Sequence, residues 1–226
     1  MIYITGDTHC PTDIHKLNKE DFDDSNLTKD DFLIISGDAG IVWANRDKTD
    51  EWWQNWLQNK NFTTLFVDGN HENHDKLDAL PIEMWNGGKI HRIKPSIIHL
   101  MRGQVYNING YKIFIMGGAS SVDACLRTEG ISWWKREIPS ESEYIGAVTN
   151  LNKANWEVDF IITHTAPTSI LEYLDKSYKV DELSNFFQII KRELKFKKWY
   201  FGHVHMDQKV NEKFRSLFND IIGIGE

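Results

Sequence analysis

With 226 residues, 41% of them hydrophobic, the chain carries enough apolar material for one substantial core, and a single domain over residues 1–226 is expected. A formal net charge of −7 argues against a broad basic face for nucleic acid, and no apolar run reaches the length of a membrane span. The opening stretch, Met1 to Asp7, reads as a strand rather than a signal core, and two cysteines, Cys10 and Cys125, fit a reduced cytoplasmic protein better than a disulfide scaffold.

In chain order, the first apolar run is Ile2-Tyr3-Ile4-Thr5, followed at once by Gly6-Asp7-Thr8-His9. A charged segment, 16–31, reads as a surface helix and loop. The run Phe32 to Ser36 then ends in Gly37-Asp38. Residues 50–59 fit a helix; Trp52 and Trp56 share one of its faces, so this pair is expected to pack on the core. The run Thr64 to Val67 stops at Asp68-Gly69-Asn70-His71-Glu72. Lys112 to Met116 runs into Gly117-Gly118, beyond which Trp133 or Trp134 would wall a cleft or pack a loop. Helical patterns return at 141–153 and 180–195. Between and after them, Phe160 to Thr163 runs into His164, and Lys198 to Phe201 into Gly202-His203-Val204-His205. Short buried strands alternating with helices predict an α/β fold.

The strand ends carry the chemistry. Sites in α/β sheets form at the C-terminal ends of strands, so residues scattered from 7 to 205 are expected to converge. The turns supply Asp7, His9, Asp38, Asn70, His71, His164, His203 and His205. Two carboxylates, an amide and five imidazoles exceed the needs of one tetrahedral zinc and suit two adjacent divalent ions with one bridging carboxylate. A nitrogen and oxygen set without thiolate suits manganese, iron or zinc better than magnesium or calcium. Gly6, Gly37, Gly69 and Gly202 would let the backbone come close to ions or phosphate.

The ordered set D-x-H, GD, GNHE, H and GHxH, each block after a strand, resembles the calcineurin-like metallophosphoesterase family from residue 5 to residue 205. The resemblance implies two mixed β-sheets packed as a sandwich and flanked by helices, a four-layer α/β/β/α fold. By it, Asp7, His9 and His205 would hold one metal, Asn70, His164 and His203 the other, and Asp38 would bridge. The two divalent ions would be manganese first, with iron, zinc or nickel as alternatives. His71 would bind no metal and would assist the leaving group while a metal-bridging hydroxide attacks phosphorus.

Glu72 is expected to orient a neighbouring histidine or to stand as a charged turn or helix-start residue, and His74 to be exposed or to start a helix rather than to bind metal. Cys10 stands where the family often has glycine. The arginine that the protein-phosphatase branches carry after the GD block has no counterpart, since Arg46 comes too late. Arg127 is the candidate phosphate contact.

The resulting expectation is a phosphoesterase for a small phosphodiester or nucleotide. Alternatives are a nuclease of the same fold, a phosphomonoesterase or protein phosphatase, and a non-catalytic scaffold. The one basic run, residues 191–200, is explained by a solvated helix face, so a nucleic-acid partner is disfavoured. No membrane partner is expected, and the oligomeric state is left open.

Overall fold

A computed structural model describes residues 1–43 and 47–225; Arg46 lies outside the described residues. The first half of the chain gives β1 (Ile2–Thr5), β2 (Phe32–Ile35), helix α1 (Asp47–Gln58), β3 (Thr63–Phe66), the short helix α2 (His74–Asp78), β4 (Ile82–Trp85), β5 (Gly88–Lys94), β6 (Ile97–Leu100), β7 (Gln104–Ile108) and β8 (Tyr111–Met116). The second gives α3 (Glu141–Lys153), β9 (Phe160–Thr163), α4 (Thr168–Leu174), α5 (Glu182–Glu193), β10 (Lys198–Phe201), β11 (Gln208–Lys209), β12 (Phe214–Ser216) and β13 (Ile221–Gly223).

The strands form two mixed sheets. One has seven strands in the order β13, β1, β2, β3, β6, β5, β4; the other has six, in the order β11, β12, β10, β9, β8, β7. The middle of each sheet is parallel, and the antiparallel pairs lie toward its edges. Side-chain alternation along each strand builds the layers. Ile4, Ile34 and Leu65 meet Ile113, Ile115, Ile162 and Tyr200 in a core shared by both sheets. The alternate residues Leu33, Ile35 and Phe66 pack under α1. Phe114, Ile161, Trp199 and Phe201 pack against residues of α3, α4 and α5. This is the α/β/β/α sandwich expected from the sequence.

Two local expectations are corrected. The buried stripe of α1 is Trp53 and Leu57, while Trp52 is 58% exposed and Trp56 half-buried. The 52/56 pairing is one residue out of phase with the face that meets β2 and β3. Truncating Leu57 to alanine should cost about 2–5 kcal/mol, the range for a buried leucine. The segment 16–31 holds no α-helix beyond the single 3-10 turn at Ile14–Leu17. Its polar side chains bond the local backbone instead: Asp23 accepts from Ser25 N (3.0 Å) and Asp31 from Thr28 N (2.9 Å), which competes with helix formation.

Candidate metal centre

Five strand ends deliver side chains to one place. Asp7 and His9 follow β1, Asp38 follows β2, Asn70 and His71 follow β3, His164 follows β9, and His203 and His205 follow β10. Four of these residues take positive φ without being glycine: His9 (30°), Asp38 (50°), His203 (67°) and His205 (49°). The glycines serve the site differently from what the sequence suggests. A Cβ on Gly69 would lie 2.1 Å from Asp38 Oδ1, and one on Gly202 would lie 2.1 Å from Asp7 Oδ1. The space they leave is filled by the carboxylates themselves.

The two carboxylates are buried and each gathers partners. Asp7 accepts from the His203 backbone N–H (3.0 Å), with His205 Nε2 3.1 Å from its Oδ2. Asp38 accepts from the His71 N–H (2.8 Å) and faces His9 Nε2 (3.2 Å) and His164 Nε2 (3.3 Å). Burial is the largest influence and pushes both carboxyls up; the charge of His164 and the hydrogen bonds from neighbouring histidines together outweigh it, and both end below the usual carboxylate range. Burial works against a charge on His9 and His164 as well. The carboxylates prevail, with Asp38 foremost, and raise them to about 9 and about 10. Loss of hydration, then the charge of His164, pushes the half-buried His203 down to about 4.

The donor set fits divalent cations. Among the described residues, three groups of side chains bring ligand atoms within 4.8 Å of one another: Asp7, His9 and His205; His9, Asp38 and His71; and Asp7, Asp38 and His164. His9 Nδ1 lies 2.8 Å from Asp13 Oδ2 and His164 Nδ1 lies 2.9 Å from Ser36 O. Each Nδ1–H therefore has an outer acceptor and each Nε2 is directed to the centre, the arrangement usual for metal-binding histidines. Asn70 Oδ1 lies 3.2 Å from His164 Nε2, while its Nδ2 donates to Ser121 Oγ (3.2 Å). The His203 ring packs on His164 at 4.9 Å, and His205 stacks on Phe218 at 4.9 Å. His71 stands in one of the three groups although it was expected to stay clear of metal.

Several contributors were not apparent in the sequence. Glu72 orients no histidine and is not solvated: fully buried, it accepts from Ala39 N (2.6 Å), Gly40 N (3.3 Å) and Gly69 N (2.6 Å), clamping the second and third turns together. Lys16 Nζ donates to the carbonyls of Gly6 (3.2 Å), Asp7 (2.8 Å) and Phe218, tying the first turn to the chain beyond β12. His74 begins α2 but is buried, its Nε2 without a hydrogen-bond partner. Behind the third turn, Asp68 pairs with Arg102 Nε (2.7 Å) and His99 Nε2 (3.2 Å), and His99 Nδ1 meets His91 Nδ1 at 3.2 Å. Arg127 reaches the site from the segment between β8 and α3 and places Nη2 3.4 Å from His71 Nε2. Trp134 is 3% exposed, donates to Asp75 Oδ2 (2.8 Å) and backs Trp43 rather than lining a cleft itself.

A family model for calcineurin-like phosphoesterases matches residues 1–207, a span that includes every residue of this centre. The chain belongs to the calcineurin-like phosphoesterase family. A lariat debranching enzyme of Schizosaccharomyces pombe is 26% identical over 208 residues, which is 78% of this chain and 43% of that protein; the chain thus spans less than half the length of this relative. The crystal structure of the phosphopantetheinyl hydrolase PptH from Mycobacterium tuberculosis superimposes with a TM-score of 0.50 at 14% identity, covering 96% of this chain and 89% of that one, a likeness of fold. Calcineurin-like phosphoesterases are metal-dependent hydrolases of phosphate esters, and the Asp/His groups of this member are suited to holding metal. Among the described residues no helix is long and apolar enough to cross a membrane.

Proposed function

We propose that this phosphoesterase acts on a small phosphodiester or nucleotide through a dinuclear centre, with manganese as the working metal. The observation that carries the reading is the convergence of Asp38 and Asn70 oxygens on the Nε2 atoms of His9 and His164, whose Nδ1 atoms are committed elsewhere, beside Asp7 facing His205 Nε2. Asp7, His9 and His205 would hold one ion, Asn70, His164 and His203 the other, and Asp38 both. The ions would supply positive charge against the phosphoryl oxygens and activate water for attack.

The chain's own residues do the rest. Glu72 and Lys16 fix the turns that carry the ligands. His71, stacked on Trp43 with 17° between ring planes, is the proton donor to the leaving oxygen. Burial lowers its pKa, with Asp38 opposing and Arg127 assisting, which makes the imidazolium a stronger acid once formed. Arg127 offers guanidinium N–H groups to the phosphate. Neither Cys10 nor Cys125 forms a disulfide, in keeping with a cytoplasmic protein.

A second reading, a nuclease of the same fold, draws on the similarity to a lariat debranching enzyme. The basic run 191–200 does not serve it. Leu194 and Phe196 are buried, and the lysines lead into the N-terminal end of β10, whereas His203 and His205 leave its C-terminal end. The test is a panel of mono- and diester phosphates assayed after chelation and readdition of Mn, Ni, Zn or Mg. Small diesters should turn over fastest, with Mn restoring the rate. Turnover that survives exhaustive chelation, or none with any metal, would sink the assignment.

A further inference from the structure

Next to His9 and His71 lies a cavity of about 250 Å³ whose other walls include Pro11, Thr12, Gly40 and Trp43. We infer that this cavity binds the nucleobase of the substrate and that Trp43 is the platform on which the base stacks. The inference rests on the phosphoesterase reading of the neighbouring centre and names the group carried beside the phosphate.

Three observations carry it. The indole of Trp43 is half-buried, so part of its surface is open to the cavity. It is held in place on several sides. The Trp43 main chain is anchored, its backbone N–H donating to Asp50 Oδ2 of α1 (2.7 Å) and its backbone carbonyl accepting from Lys76 Nζ of α2 (2.7 Å), and the ring itself is met edge-on by Trp134 at 5.7 Å. An aromatic ring fixed before binding loses little conformational entropy when a ligand stacks on it. The indole also lies nearly parallel to the His71 imidazole, at 5.8 Å. A ring stacked on Trp43 therefore sits beside the group proposed to face the scissile phosphate.

The lining selects the chemistry of that ring. Among the described residues no lysine, arginine, aspartate or glutamate lines the cavity, so these walls offer a second phosphate no guanidinium or ammonium partner. Its volume falls just below the usual range for drug-sized ligands, which suits one base with its sugar and not a run of bases. A flat, neutral ring one sugar away from phosphorus is a nucleobase.

The probes are adenosine 5′-phosphate and ribose 5-phosphate, which differ only by the base, together with phenyl phosphate. Their dissociation constants are measured by calorimetry on the full chain reconstituted with Mn. Base–aromatic stacking predicts that the adenosine compound binds about 5- to 150-fold more tightly than ribose 5-phosphate. Trp43→Ala should bring that ratio close to one, and Trp43→Phe should restore most of it, with the melting temperature of each variant checking the fold. A wild-type ratio near one, or a ratio that Trp43→Ala leaves intact, overturns the inference. Phenyl phosphate binding as tightly as the adenosine compound overturns the assignment to a nucleobase. Because the readout is binding, failure of the phosphoesterase reading appears separately, as absence of metal-dependent turnover in the ester panel.

Discussion

Arg127 aims its Nη2 at His71 Nε2 across 3.4 Å. A guanidinium has only donors, so in this pair the imidazole nitrogen accepts and the His71 proton resides on Nδ1. The arginine is steadied from behind by Asp123 (2.8 Å) and by the Ser132 carbonyl (3.3 Å). A phosphoryl oxygen bound between the two side chains would take over the Arg127 hydrogen bond and leave Nε2 free to be protonated.

If Arg127 grips phosphate in this way, Arg127→Ala should lower kcat/KM by about 10- to 100-fold, the worth of a charge-assisted hydrogen bond. Metal content should stay at the wild-type level. Unchanged kinetics on a good substrate would leave Arg127 with its Asp123 ion pair and nothing more.

Asp38 carries negative charge toward His9 and His164 and is proposed to face both ions. Asp38→Asn keeps an oxygen for the His71 N–H and removes the charge. Bound metal, measured by elemental analysis, should drop well below wild type, and activity should drop with it. Two ions per chain with full turnover in this variant would refute the bridging role.

The value of a general acid grows as the leaving group becomes poorer. His71→Ala should therefore lose about 10²-fold more rate on an alkyl or nucleoside ester than on a nitrophenyl ester. An equal loss on both would mean charge stabilisation by the imidazolium instead. Because His71 shares a potential ligand group with His9 and Asp38, metal content must be measured on the same sample. Retention of both ions is expected, and loss of one would make His71 a ligand.

His91 allows a test by pH. His99 Nε2 lies against Asp68, and its Nδ1 faces His91 Nδ1 at 3.2 Å, where only one of the two nitrogens can carry a proton, an arrangement that works with His91 neutral. Burial, then the charge of His99, lowers the His91 pKa to about 4. Between pH 4 and about 6.5 the unfolded chain binds the proton and the folded one does not, so this contribution to stability falls as the pH falls. Its slope is up to about 1.4 kcal/mol per pH unit. Burial raises Glu72 to about 8 and Glu137 to about 7, and these carboxyls act in the opposite sense over the same window. The measurement is therefore a difference. In urea unfolding, the stability advantage of wild type over His91→Asn should shrink by about 2 kcal/mol from pH 6.5 to pH 4.5. Parallel curves would mean that His91 is not held neutral.

Much of this could be read in the sequence because each site strand is a short apolar run cut off by a turn. Runs such as Leu65-Phe66-Val67 before Asp68-Gly69 mark strand and site together. The hairpins from β4 to β8 were harder. Ile82 and Met84 point to solvent, which blurs the alternation. Their turns were signalled all the same: Asn86-Gly87 and Asn109-Gly110 both take positive φ at both positions, as tight hairpin turns require. The roles of Glu72, Asp13 and Lys16 were out of reach, because a carboxylate accepting N–H groups from residues 39 and 40 leaves no periodic trace.

The left-handed backbone at His9, Asp38, His203 and His205 has a consequence for how this protein would evolve in the laboratory. Such conformations cost about 1 kcal/mol or more for a residue with a side chain and little for glycine. Replacing His205, the exposed one of the four, by glycine removes a proposed ligand while relaxing the turn that carried it. A library screened for heat resistance alone, without an assay for turnover, should therefore enrich substitutions at this position and drift toward well-folded, inert sandwiches.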